Sequence, residues 1–458
     1  MVHDHRHSVD ATSQSRASHD ITVEEHGAPS LHPSDIIERL SIDKEKYDVV
    51  EVAVSPVQGD GEFPDGGLKA WLIVCGAMCN TLATFGYVNS WGIFQNYYQE
   101  TLLSSSPPSS IAWIGSIQYA LVFLPGLVVG RFFDLGYFRS IFLTSSAILV
   151  VATFLVAECK EYWHFVLCQG IMVGLGCGGI FGPTAAVVAH WFKKRRGLAM
   201  GFVAVGSSIG GTVLPIAAKG LIPAVGFKWT MRIFGFILMA VLGVSNLLLE
   251  RRLPPRHVEG GLLNLRAFRS AAYSVYCASA FVTFLGVYTV LTYVGVSATA
   301  IGISTDFAFY FVAIANAASL VGRYCAGLVC DRVGAMNVMI PFTAGAGILT
   351  YAWPFAQTKS SLIAVTLIYG FCSGAYVSLL SNPIMDMGET GDVGRRIGMF
   401  MSILAMGALA GPPISGAISS ATGDFKAVGY YAGTSVLVGV GLMSVTRHLI
   451  LRKMFGRI

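Results

Sequence analysis

Charge is what this sequence has least of. Of 458 residues only 12% are Asp, Glu, Lys or Arg, while 54% are hydrophobic and the mean hydropathy is +0.62. A soluble globular protein carries about twice that charge, so the apolar excess requires a non-aqueous neighbour. Acids are missing where apolar residues gather: between Glu161 and Glu250 there is no Asp or Glu. Chemistry inside these runs by paired carboxylates, or by a nucleophile with its base, therefore has no residues to use, and no enzyme activity, catalytic residue or metal is expected.

Other absences narrow the class further. No G-x-x-x-x-G-K-[ST] stretch exists, so ATP-driven work by this chain has no support. GLGCGG at 174–179 meets a dinucleotide spacing, but the acidic residue required about 20 positions later is absent. Its glycines read instead as close helix approach in a membrane. No cofactor, nucleotide or nucleic acid is expected. The first thirty residues lack the apolar core of a cleavable signal, so the first apolar run is expected to serve as the signal. Eight of the nine cysteines lie in or at the edges of apolar runs and one, Cys159, in a polar turn. They read as small packing residues, not as a disulfide framework.

What remains is a regular series of apolar runs. Residues 1–64 hold 13 acids against 5 Lys/Arg and six of the ten histidines (His3, His5, His7, His19, His26 and His32), and are expected to form a disordered cytoplasmic tail. The histidines of HDHRH read as solvated, not as metal ligands. From PDGG at 64–67 onward, twelve runs follow, at about 70–94, 111–130, 140–157, 163–190, 198–218, 230–249, 270–293, 307–329, 338–354, 361–380, 397–417 and 428–447. Each has the length a helix needs to cross a bilayer. The expected fold is an all-α membrane protein of twelve transmembrane helices in two six-helix halves, 65–249 and 270–447. A linker at 250–269 joins them, and 448–458 forms the C-terminus. The loops on the side of the termini carry eighteen Lys/Arg against six on the other side, which places both termini in the cytoplasm.

The halves repeat. GRFFDLG at 130–136 follows the second run and GLVCDRVG at 327–334 the eighth, 197 residues apart. Gly197, Gly206 and Gly210 of the fifth run fall on Gly398, Gly407 and Gly411 of the eleventh, 201 apart. Matching runs point the same way, so the repeat is parallel, with its axis along the membrane normal.

These motifs resemble the signature of the major facilitator superfamily, whose Asp and Arg tie the cytoplasmic ends of neighbouring helices. Copy one, Gly130 to Asp134, is one residue shorter than the usual form, with its arginine displaced to Arg139. Copy two comprises Gly327, Asp331, Arg332 and Gly334. PDGGLKAW, WFKKRRGLAMG and GPPISGAISSATGDF together resemble the monocarboxylate transporter family in its fungal branch, over roughly 64–447. The resemblance implies a monomeric transporter with this fold in the plasma membrane. It moves a small organic metabolite, a carboxylate or secondary metabolite, inward or outward by alternating access. The family's substrate-contacting arginine falls on Arg323. Its proton-carrying acid falls on Ser319 and its first-helix lysine on Asn89, which takes both charges away from proton coupling. Asn316, Tyr288 and Gln118 are further polar candidates for the central cavity. Arg323 has a second reading, as a side chain that snorkels to the interface or braces the latch. At the level of function, a sensor or scaffold of transporter shape and an uptake uniporter for a vitamin-like nutrient are the alternatives.

Overall fold

The computed structural model describes residues 63–254, 261–388, 392–452 and 456. The acidic tail up to residue 62 lies outside these residues, with its six histidines, as do Arg256, Lys453 and Arg457. All regular structure among the described residues is helical.

Among the described residues, eleven helices are long and apolar enough to cross a bilayer. They are α1 Gly67–Leu102, α2 Ser110–Asp134, α3 Phe138–Val156, α4 Tyr162–Trp191, α5 Arg196–Leu248, α6 Ala271–Ala300, α7 Thr305–Val333, α8 Ala335–Phe355, α9 Lys359–Asp386, α10 Val393–Thr422 and α11 Lys426–Leu451. The sequence reading expects twelve. The difference lies in α5, whose 53 residues hold both the fifth and the sixth apolar runs. Straight, it would measure about 80 Å, far more than a bilayer's hydrocarbon core of about 30 Å. It is not straight: Gly226 leaves helical geometry with φ 80 and ψ 163, a conformation open chiefly to glycine. Beyond it the chain doubles back. Gly206 on the first arm packs on the carbonyl of Met78, and Ser245 on the second arm donates to the Gly76 carbonyl at 2.8 Å. Both arms thus lie against the same turn of α1.

The outside of the bundle is apolar. Leu143, Leu247, Val296 and Ile348 are 58%, 80%, 57% and 60% exposed, an arrangement that suits lipid. Inside, several hydroxyls are satisfied locally: Thr84, Ser146, Thr153 and Thr343 each donate to the carbonyl four residues earlier, so none of these four is left unpaired in the apolar interior. Helix α1 packs on α5, α6 on α10 and α11, and α7 on α9. Two further pairings, α5 with α7 and α2 with α10, join the first five helices to the rest. They enclose the centre.

Candidate functional site

Two arrangements stand out, one at the end of the bundle that carries the basic loops and one at its centre. At the basic end, Asp134 ends α2 and Asp331 lies in the last turn of α7. Each carboxylate meets the start of a helix. The amides of Gly394 and Arg395, opening α10, donate to Asp134 at 3.0 and 2.8 Å. Those of Gly197 and Leu198, opening α5, donate to Asp331 at 2.7 and 3.0 Å. A helix N-terminus has unpaired N–H groups and a partial positive charge, so an anion there is favoured twice over. From 134 to 331, 197 to 394 and 198 to 395 the step is 197 residues in every case. The expected register needs one correction here: Gly197 corresponds to Gly394, not Gly398. Further along, the 201 step holds, since Gly206 and Gly210 pack on α1 as Gly407 and Gly411 pack on α6. Between gate and centre, α10 therefore has one extra turn of four residues, which preserves the facing of its glycines.

Gly130 and Gly327 permit the approach. A Cβ on Gly327 would lie 2.7 Å from the Gly197 carbonyl, and one on Gly130 would collide with the Gly394 carbonyl. Gly334 ends α7 at φ 96, where only glycine is unstrained, and Gly136 does the same after α2 at φ 100.

The arginines assigned to this gate are not in it. Arg139 and Arg332 are exposed and form no hydrogen bond or ion pair among the described residues. A guanidinium reaches the first copy from the linker instead: Arg251 donates to the carbonyls of Phe133 and Asp134 at 2.5 and 3.1 Å and stacks over the Phe133 ring. The reason is geometric. Asp134 spends both carboxylate oxygens on backbone amides, so the cation is left the carbonyls at the helix end. The linker also holds the far side of this gate, where Asn264 donates to Asp392 at 2.6 Å and Asp392 pairs with Arg395 at 2.5 Å. The second copy is braced differently. Asp65 Oδ1 receives the amides of Lys193, Lys194 and Arg195 at 2.7, 2.6 and 3.2 Å, fixing the loop that leads into α5. His190 is buried, its ring centroid 5.2 Å from that of Phe133.

At the centre lies a cavity. Arg323, Asn89, Ser319, Asn316 and Tyr288 line it. Gln118 does not; it is buried in α2 against Gly174 of α4. Phe85, Phe123, Phe181 and Phe284 touch one another and form an aromatic part of the lining, to which Asn89, Asn316, Ser207 and Ser319 add amides and hydroxyls. Among all the lining residues, Arg323 is the single charged one. It does not snorkel: its Nε donates to Ser319 Oγ at 2.8 Å and its Nη1 to the Ala204 carbonyl at 2.8 Å and to Ser207 Oγ. Three acceptors on two helices, Ser319 of α7 and Ala204 and Ser207 of α5, thus hold the guanidinium in place. Asn316 donates to the Gly211 carbonyl at 3.1 Å, and a Cβ on Gly211 would lie 2.8 Å from the Asn89 amide nitrogen.

The sequence and the fold match known proteins. The sequence model of the Major Facilitator Superfamily matches residues 73–380 and 276–453. The chain belongs to the Major Facilitator Superfamily. Among its relatives, the MFS transporter asaE of Aspergillus flavus is 36% identical over 411 residues, covering 89% of this chain and 92% of that one. The aspyridones efflux protein apdF of Emericella nidulans is 34% identical over 379 residues, 82% of this chain and 77% of that one. By structure, the human organic anion transporter MFSD10 superposes with a TM-score of 0.66 at 17% identity, over 82% of this chain and 100% of that one. The Escherichia coli fucose:proton symporter FucP does so with 0.66 at 15%, over 82% and 99%. This superfamily member is a membrane transporter, not an enzyme.

Sequence reasoning missed Asp65, Arg251, Asp392, Ser207 and Gly211. Asp65 was within reach, since PDGG and WFKKRR were both singled out; that one sits on the other needs the fold.

Proposed function

We propose that this protein exports a small amphipathic organic anion, a carboxylic or similarly acidic secondary metabolite, across the plasma membrane by alternating access. The observation that carries this reading is the cavity's charge: one buried arginine facing a space otherwise lined by neutral groups and aromatic rings. A desolvated guanidinium favours a carboxylate or another planar anion, and the aromatic wall takes an apolar body. The aspyridones efflux protein among the fungal relatives supports export over nutrient uptake.

The two arms of α5 support twelve crossings in two six-helix halves, 65–249 and 270–447, joined by the linker at 250–269. The excess of Lys and Arg at the gate end supports a cytoplasmic placement of both termini. With Asp134 and Asp331 seated, the cytoplasmic gate is closed. Gly130, Gly327 and Gly334 allow the close contact, and opening requires both carboxylates to leave their helices. A place in the monocarboxylate transporter branch is supported by the Asp65 contact, which joins two of that branch's sequence marks.

The test compares a strain lacking the gene with one expressing it, by untargeted profiling of acids inside the cells and in the medium. The expected result is an acid that accumulates inside the deletion strain and disappears from its medium. Identical profiles in strains where the biosynthetic genes are switched on would overturn the reading.

A further inference from the structure

The cavity's charge also bears on what drives the cycle. We infer that transport is electrogenic: the empty site carries one uncompensated positive charge and the loaded site none, so the membrane potential, and no proton, expels the anion. This rests on the anion reading of the same cavity.

Consider first what surrounds Arg323. An arginine does not lose its proton in a protein, so the empty site is cationic. Its acceptors, Ser319, Ser207 and the Ala204 carbonyl, solvate that charge but do not neutralise it. The titratable groups near enough to interact are the phenols of Tyr288 on α6 and Tyr119 on α2, whose ordinary pKa of about 10 keeps them neutral at cellular pH. Helix α5 offers Ala204 and Ser207, α9 offers Ser373 and Ser378, and α7 itself Ser319 and Asn316, all neutral. Asp331 lies eight residues down α7, about 12 Å by helical rise, with its oxygens on the amides of Gly197 and Leu198. Asp134 is likewise held by α10. No group at the site can accept a proton as the anion leaves, or give one up as it arrives.

The charge balance of a cycle follows. The anion binds from the cytoplasm, and the loaded site crosses with no net charge. After release outside, the empty site returns with charge +1. One negative charge has left the cell and no proton has moved. An inside-negative potential acts on the return step, drawing the empty cationic site toward the cytoplasm. One charge in 100 mV is worth about 2.3 kcal/mol, which corresponds to an outward accumulation of about 50-fold.

The test needs no substrate. Voltage steps are applied to cells expressing the full chain, without added acids, and transient charge movement is recorded, normalised to surface protein. The expected result is a movement of at most about one elementary charge per transporter, with a midpoint that does not shift between external pH 5.5 and 7.5. Arg323→Gln should reduce it at least tenfold. Arg323→Lys should keep it, because the charge is retained, while acid export falls. No movement in correctly inserted wild-type protein, movement undiminished in Arg323→Gln, or a midpoint that tracks pH would each overturn the inference. Those outcomes leave the profiling result for the export reading untouched, and an unchanged profile would in turn sink that reading whatever the charge movement does.

Discussion

The amide of Gly394 donates to Asp134 at 3.0 Å, and the amide of Gly197 donates to Asp331 at 2.7 Å. In both, a carboxylate in the last turn of one helix caps the first turn of another across the chain's midpoint. The two capped helices, α10 and α5, also contribute to the lining of the centre, through Met401 and through Met200, Val203, Ala204 and Ser207. Opening at the basic end and rearrangement at the cavity are therefore movements of the same two helices.

Removing one carboxylate should loosen both caps. Asp134→Ala gives up a helix-capping interaction of about 1 kcal/mol, enough to raise the open population roughly fivefold. Cys330 reports on this directly, being 6% exposed and packed on Gly197 at the other gate. Its alkylation by a maleimide, followed residue by residue with mass spectrometry, should quicken about fivefold. An unchanged rate at Cys330 would mean that the gates open independently.

Asp65 should matter for stability through its carboxylate alone. It collects three successive backbone amides, whereas the side chains of Lys193 and Lys194 take no part in those bonds. Asp65→Ala is expected to cost about 1–2 kcal/mol and lower the Tm of the solubilised protein, with Asp65→Asn intermediate. Lys194→Ala should leave Tm within error. Equal losses in the aspartate and lysine variants would show that surface ion pairing, not the backbone contact, holds the loop.

Arg323→Ala should abolish export of an acidic substrate, by at least tenfold, in protein that reaches the membrane in normal amount. Ser207→Ala removes one acceptor of the guanidinium while leaving Ser319 and Ala204 in place. The expected loss is about 1 kcal/mol, or roughly fivefold in apparent affinity. Flux measured in inside-out vesicles distinguishes the two: full activity in Arg323→Ala would remove the arginine from substrate binding.

Much of this was legible in the chain because its signals are local. Twenty-residue apolar runs state their own structure, since lipid allows a spanning segment little besides a helix, and a repeated Gly-x-x-x-Asp exposes the duplication. The cavity arginine was legible for a related reason: a charge deep in an apolar run needs a purpose. The partners of these residues were not. Arg139 and Arg332 are near the aspartates in sequence, yet the bonds go to backbone amides 134 and 260 residues distant, and every residue has such an amide. Nothing in composition tells which. Likewise the boundary between the fifth and sixth runs is a single residue's backbone angle at Gly226, and Gln118 differs from Asn316 only in which side of its helix meets a neighbour.

Gly211 supplies a final expectation, about selectivity. It sits where α5 meets Asn89 of α1 and Asn316 of α7, and a Cβ there would lie 2.8 Å from one amide nitrogen and 3.1 Å from the other. Gly211→Ala must push both amides a few tenths of an ångström into the cavity, narrowing it beside Arg323 without altering its charge. Apparent affinity for the native substrate should fall about 3–10-fold, in line with overpacking costs of about 1 kcal/mol, while voltage-driven charge movement persists. Smaller acids should lose less. Gly220→Ala, on the same helix with nothing within 4 Å of the added carbon, should leave affinity unchanged and stabilise the helix slightly. If both substitutions weakened affinity alike, the effect would belong to helix stiffness in α5 and not to the asparagine pair.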